Sequence, residues 1–371
     1  MDTNSDFFKK NECQLSKDAE HTPPLYYQSL DDAFINYFQT VKNIKNSYHL
    51  LLDFKMWKHD TLSFDFYNSD CIVQTILSFH RFFELLLKDI LNRINPFLAV
   101  KFPRKEKDAI KYCNNEAEAE RMESVEFNSA YERFKEAVRY YDKNLHKTQY
   151  AVANQFRFLI DDSLDYLARW RNRIMHNGKT IPNILLFDYL VSQKLIPLVV
   201  KVFENDKTIL NGFKPHYFET FTGIKIIDGI NTIKFDTDDF YDDAKIDELR
   251  VKLLKLAHLK ELGRAAYGLD LTLKNNILYH EPYYENPIGR FIRYAECETK
   301  YKYYHAIKKC PCCGHETLVI YKKEYDDIIF KKKESFSWFR CTTCSYSLKD
   351  NLGDPALFGF CKERLFDCPP Q

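Results

Sequence analysis

Glycine is scarce in this chain. Only 10 occur in 371 residues, and none stands in a GxGxxG or GxxxxGK[ST] pattern. A glycine-rich phosphate loop is therefore excluded. Charge of one sign is lacking too. Lys and Arg number 54 against 53 Asp and Glu, a formal net charge of +1, so attraction for a polyanion must come from local patches. No apolar run is long enough to span a bilayer, and the opening "MDTNSDFFKKNECQLSKD" has no apolar leader segment. These absences predict a cytoplasmic protein with no membrane partner. What the chain has instead is aromatic mass, 30 Phe and 25 Tyr, and a hydrophobic share of 45%, enough to bury a large core.

Eleven cysteines are unevenly placed. In a reducing compartment, clustered cysteines read as metal ligands before disulfides. "KKCPCCGHE" gives Cys310-x2-Cys313 and "FRCTTCSYS" gives Cys341-x2-Cys344, with 27 residues between the pairs. Two strand-like runs in that interval form a hairpin that brings four thiolates together, the arrangement of a structural zinc site. One zinc ion per chain is expected on Cys310, Cys313, Cys341 and Cys344. Cys312 sits inside the first turn and is no expected ligand, His315 is an outside candidate, and Cys361 and Cys368 read as core thiols.

Along the chain, residues 1–24 read as a loose arm. Residues 25–204 carry helical periodicity. Ser69–Asp70 offers an N-cap to a long helix whose stripe is Ile72, Ile76, Phe79, Phe83, Leu86 and Ile90, closed by Pro96. Residues 101–124 read as an exposed excursion, and a third helix is expected over about 125–145. A fourth begins near Asn154, and a fifth, kinked or split at Pro197, ends near residue 204. In the linking segment, 205–300, "FTGIKIIDGINTIKFD" reads as a small hairpin, followed by an amphipathic helix stopped by Gly268. Residues 301–371 form a β zinc ribbon with a core of its own. The expected fold is mainly α: a helical bundle, a small α/β segment and the ribbon.

The end of the fourth helix, "LARWRNRIMHNGK", holds unusual chemistry. At about 100° per residue, Ile160, Leu164, Leu167 and Ile174 form an apolar stripe, and Arg171 falls within it. Asn172 and His176 share another face at i,i+4. Arg171 and His176 point about 140° apart, so one straight helix does not converge them. A broken helix end or a second subunit would. Arginine grips phosphate with a fork of donors, and histidine exchanges protons near neutral pH. A plainer reading stands beside this one: an arginine paired within the bundle and a histidine capping a helix C-terminus.

"RNRIMH" resembles the RNxxxH motif of HEPN domains, and "FHRFFELLLKDIL" resembles that family's earlier long helix. The resemblance covers about half the chain, residues 25–204. It implies a four- to five-helix bundle that dimerises and cleaves RNA without a metal. It also implies that Arg171 clamps the phosphate, Asn172 positions and His176 acts as acid or base. His80 and Glu84, on one face of the earlier helix, are accessory candidates, although Glu84 also has Lys88 at i+4. The implied role is a ribonuclease of the kind found among bacterial toxins and antiviral effectors. The alternative is a non-enzymatic nucleotide- or partner-binding module with the ribbon as an interaction platform.

The ribbon has a basic character of its own. Between Lys300 and Arg340 ten Lys and Arg face five acids, with tyrosines, Phe336 and Trp338 interleaved. Lys331, Lys332, Lys333 and Trp338 are expected to touch RNA, since positive charge with stacking rings suits a single strand. A solvated hairpin whose rings fill a small core fits the same residues.

Overall fold

The computed structural model describes residues 25–41, 66–101, 122–143, 148–177, 181–205, 218–240, 242, 244–278, 287–327, 332–349 and 352–366. The arm at 1–24, most of the 101–124 excursion, Lys331 and Cys368 lie outside these.

Helix α1 (Leu25–Gln39) buries Tyr26, Tyr27, Leu30, Phe34, Tyr37 and Phe38, spacings that keep one face inward. It packs along α2 (Phe66–Ile94), which also meets α3 (Phe127–Lys143) and α5 (Asp162–Asn177). Every residue of the expected α2 stripe is fully buried. The start differs: α2 begins at Phe66, so Ser69–Asp70 lies within its first turns and not at its N-cap position. The end agrees. Asn95 leaves the helical region, and its side chain accepts from Phe97 N at 3.0 Å as Pro96 opens a 3₁₀ turn.

The expected fourth helix is broken. Short α4 (Ala151–Gln155) is followed by a 3₁₀ turn at Arg157–Leu159, and α5 starts afresh at Asp162. Asp161 makes that restart by accepting from Ser163 N at 2.8 Å. Ile160 therefore stands outside α5 and is 42% exposed, which removes it from the stripe. Leu164, Leu167 and Ile174 remain buried.

Helices α6 (Ile184–Tyr189) and α7 (Ile196–Asn205) are joined by a π turn, Leu190–Leu195. Pro197 has no N–H for the carbonyl of Gln193, and the widened turn absorbs the misfit. Ser192 Oγ takes the Asp188 carbonyl at 2.6 Å.

The expected hairpin at 221–236 is not formed. Ile226–Thr232 is a helix, α8, and the strand-like pairing there is an isolated bridge, Glu219 to Lys225. Ile226, Ile227 and Ile230 suit a buried helical face as well as a strand, and tertiary packing decides. Helix α9 (Ile246–Leu278) runs through Gly268 without stopping. From Leu256 to Ala266 it is buried on nearly all sides, including His258, Lys260, Glu261 and Arg264. Gly263 is required there. A Cβ would sit 2.7 Å from the Phe38 ring of α1.

Helix α10 (Pro287–Glu298) leads into a four-stranded antiparallel sheet in the order β1 (Tyr304–Lys308), β2 (Leu318–Asp327), β3 (Lys332–Cys341), β4 (Ser347–Lys349). The ribbon's inner face has no core of its own, and only a small cluster of Ala295, Val319 and Tyr321 stands apart on the other face. Leu318, Ile320, Phe339, Leu348 and the clustered cysteines join one continuous apolar cluster with the helices. The reason is α9, which packs against α1 and α8 and also carries the bonds that hold the ribbon.

Candidate functional site

The register of β2 and β3 places Leu318 opposite Cys341, which brings both CxxC turns to one end of the sheet. Their Sγ atoms approach in pairs: Cys310 to Cys344 at 3.6 Å and Cys313 to Cys341 at 3.6 Å. All four ligand atoms lie within 4.8 Å of one another, and all four residues are buried. These separations are far beyond a disulfide bond. They suit a tetrahedral ion with metal–sulfur bonds of about 2.3 Å, for which sulfurs stand about 3.8 Å apart. The four cysteines thus form a site able to hold a metal ion such as zinc. His315 stays outside it; its carbonyl accepts from Cys310 N at 2.8 Å.

Each turn closes in the same way. Gly314 N donates to Cys310 O and Ser345 N to Cys341 O, at 2.9 and 3.0 Å. The closing residues are left-handed, with φ of 77° at Gly314 and 60° at Ser345. Glycine takes that conformation freely, whereas serine does so at a cost. Ser345 is held there from outside: Arg264 on α9 donates to Ser345 O at 2.6 Å and Oγ at 3.1 Å. Arg264 is in turn gripped by Glu261 at 2.7 and 2.8 Å, and Glu261 accepts from Ser347 N at 2.8 Å. Thr222, in the loop before α8, donates to Pro311 O in the first turn. Sequence reasoning missed this clamp. Nothing local in "HLKELGRAA" indicates a partner 81 residues away.

The quoted motif lies on the last turns of α5. Arg171 and Asn172 are both half-buried, and Arg171 Nη1 donates to Asn172 Oδ1 at 3.1 Å. His176 is exposed. Among the described residues no hydrogen bond or ion pair joins Arg171 to His176. The other two arginines of the stretch lie over rings, Arg169 over Tyr166 at 5.2 Å and Arg173 over Trp170 at 5.3 Å. A cavity of about 320 Å³ opens beside Asn172, lined also by Asn128, Tyr131, Glu132, Asp165 and Arg169.

The structure brings His80 to this end of α5. Its ring lies 4.5 Å from that of Phe127, and its Nδ1 stands 3.8 Å from Glu84 Oε2. Burial lowers its pKa from 6.5 to about 4 against the opposing pull of Glu84, and the Arg171 guanidinium is near enough to depress it further. His80 is thus neutral at pH 7 and cannot supply a proton there. Glu84 holds Lys88 at 2.6 Å. This pair bridges α2 to Ser124, which accepts from Lys88 at 3.3 Å.

Of the expected basic contacts, Lys331 lies outside the described residues. Lys332 and Lys333 stand on β3 in register with Asp327 and Asp326 of β2. Trp338 is half-buried and stacks on Tyr321 at 5.1 Å and 12°. Cys361 is half-buried, its Sγ donating to Glu363 O at 3.1 Å, and burial pushes its thiol up to about 12. Among the described residues no helix is long and apolar enough to cross a membrane. No protein-family model, curated protein or solved structure matches this chain.

Proposed function

We propose that the protein is a metal-independent endoribonuclease of the HEPN type, acting as a homodimer in the cytoplasm, with a structural zinc ion in its ribbon. The observation that carries the reading is the end of α5. A half-buried guanidinium donates to the half-buried amide of its neighbour, and an exposed imidazole follows on the last turn. The resemblance of "RNRIMH" to the HEPN motif gives these residues their roles.

In the reaction, Arg171 grips the non-bridging oxygens of one phosphodiester and Asn172 fixes its fork. A neutral His176 takes the proton of the 2′-hydroxyl, and the 2′-oxygen attacks phosphorus. The 5′-oxygen of the next nucleotide leaves, taking a proton from the protonated His176 of the second subunit. The products are a 2′,3′-cyclic phosphate and a 5′-hydroxyl. DNA, lacking the 2′-hydroxyl, is inert. Arg171 and His176 diverge on one chain, so two copies of the motif across a groove supply the pair. Cys310, Cys313, Cys341 and Cys344 would hold a zinc ion with four thiolates and leave no position for a reacting water, so its role would be structural. Such an activity suits a toxin or an antiviral effector that destroys RNA once triggered.

The test is a pair of point variants. His176→Ala removes a proton-transfer group, typically worth 10²–10⁴ in rate, and Arg171→Ala removes charge stabilisation of comparable size. Each should cut RNA cleavage at least a hundredfold while light scattering still shows a dimer. Cleavage near the parent rate in either variant, or an active monomer, would overturn the reading.

A further inference from the structure

The outer face of the ribbon's sheet carries two cross-strand rows fixed by the register. Tyr304, Tyr321, Trp338 and Lys349 stand side by side from β1 to β4, and Ile307, Val319, Arg340 and Ser347 form the next row. The opposite face is the one that joins the molecular core, so this one is free to carry polar and aromatic groups. The Tyr303 ring meets Trp338 edge-on at 6.1 Å, and Lys302 and Lys323 place their Nζ atoms 5.6 and 5.5 Å from its centre.

Helix α10 covers part of this face. Ala295 packs with Val319 and Tyr321, and Thr342 Oγ1 donates to Phe291 O at 2.9 Å. Next to it a cleft of about 590 Å³ opens, lined by Tyr301, Trp338, Arg340 and Lys349 among others. Tyr301 is 52% exposed, and Arg340 is exposed. Glu298 is the acid in its lining, and Glu298 Oε2 accepts from Tyr321 OH at 3.0 Å. The cleft therefore presents the Tyr301 ring and the Arg340 guanidinium to solvent, with half-buried Lys349 in its wall and its carboxylate already engaged.

We propose that this cleft is a second RNA contact, distinct from the α5 site, which holds a single-stranded segment. Bases stack on Tyr301 and the exposed part of Trp338, while Arg340 and Lys349 bind the phosphates. This rests on the reading of the protein as an RNA-cleaving enzyme. A single strand fits because its bases can leave the stack and lie on protein rings, whereas those of a duplex cannot. The basic run at 331–333 is not needed. The cations that face the cleft come from β3 and β4 one residue at a time, at the period-two positions of the outer face.

The test uses the full-length, metal-loaded dimer carrying His176→Ala, so that binding is read apart from cleavage. The probe is a fluorescein-labelled oligouridine of about twelve nucleotides, within the range of such single-strand sites. Trp338→Ala should weaken binding at least about fivefold, the low end for loss of one stacked base, and Trp338→Phe should restore most of it. Arg340→Glu changes an exposed residue and should weaken binding without altering metal content or melting temperature. Arg340→Gln should lower the slope of log affinity against log salt by about one. A duplex of the same length should bind more weakly. The proposal is overturned if the parent binds no oligouridine, if Arg340→Glu and Lys349→Glu bind as the parent does, or if the duplex binds equally well. Binding with these dependencies by a chain that never cleaves RNA would support this cleft and sink the ribonuclease reading. Normal cleavage by a chain whose binding ignores Trp338 and Arg340 would do the reverse.

Discussion

At the scale of single residues, two buried histidines tie stability to pH. Burial lowers both His80 and His258 from 6.5 to about 4. Between those values the unfolded chain takes up protons that the folded chain refuses. Stability therefore rises with pH across that window, is fully present above about pH 6.5, and is lost as pH falls toward 4. Each histidine contributes at most about 3 kcal/mol to the change. His258 is the cleaner probe, because it lies in the core with Nε2 at 2.9 Å from the Leu352 carbonyl and its ring beside Phe358 and Phe360. Urea unfolding between pH 7 and 4.5 should show a slope that drops by up to one proton in His258→Asn. An unchanged slope would show that His258 titrates normally in the folded chain.

At the scale of elements, α9 organises the molecule. Lys260 is fully buried, with Nζ 2.7 Å from Asp188 Oδ1 and 4.5 Å from the centre of the Tyr37 ring. Burial pushes the Asp188 carboxyl up and the Lys260 ammonium down, and each partner opposes the shift. Removing one partner strands the other: Asp188→Ala or Lys260→Met should each cost about 3–5 kcal/mol, while the double variant Asp188→Leu with Lys260→Met should recover most of it. Denaturant unfolding of the three variants checks this, and additive losses would contradict it. α9 also shows where the sequence was legible. The α2 stripe and the paired cysteines could be read because their signal is a short, fixed spacing. Pro96 and Pro197 could be read because a missing N–H acts locally. The burial of "HLKEL" on all sides could not be read, since its partners Asp188, Ser347 and Leu352 lie far away in the chain. For the same reason Gly268 was mistaken for a stop and "KIIDGINT" for a hairpin. Both fold as helix; Ile226, Ile227 and Ile230 are buried against neighbours, and the local preference of one glycine or of β-branched residues is too weak to override the helix. In the candidate site, the cysteine set was legible in full. The approach of His80 to Arg171 was not, because it depends on how α2 crosses α5.

At the scale of the whole molecule, the ribbon's inner face and the helices share one core, so loss of an ion from the four-cysteine site should be felt by both. Separate cores would confine the damage to the ribbon. The clamp from Arg264 to Ser345 and from Glu261 to Ser347 instead carries it into α9, whose neighbour α1 lies deep in the bundle. Chelation under denaturing-threshold conditions, or Cys344→Ser, should lower the melting temperature of the helical signal itself. An unchanged helical transition after loss of the ion would contradict the shared core. The central claim is cleavage of RNA by groups at the end of α5, with the 2′-hydroxyl as nucleophile. The most direct measurement is digestion of RNA by the zinc-loaded protein in excess EDTA, under conditions where the ion is retained, followed by end-group analysis. The account predicts continued cleavage, products with 2′,3′-cyclic phosphate and 5′-hydroxyl ends, and no attack on DNA of the same sequence. Products with 5′-phosphates, or activity that vanishes in EDTA while the bound ion and the fold persist, would contradict it.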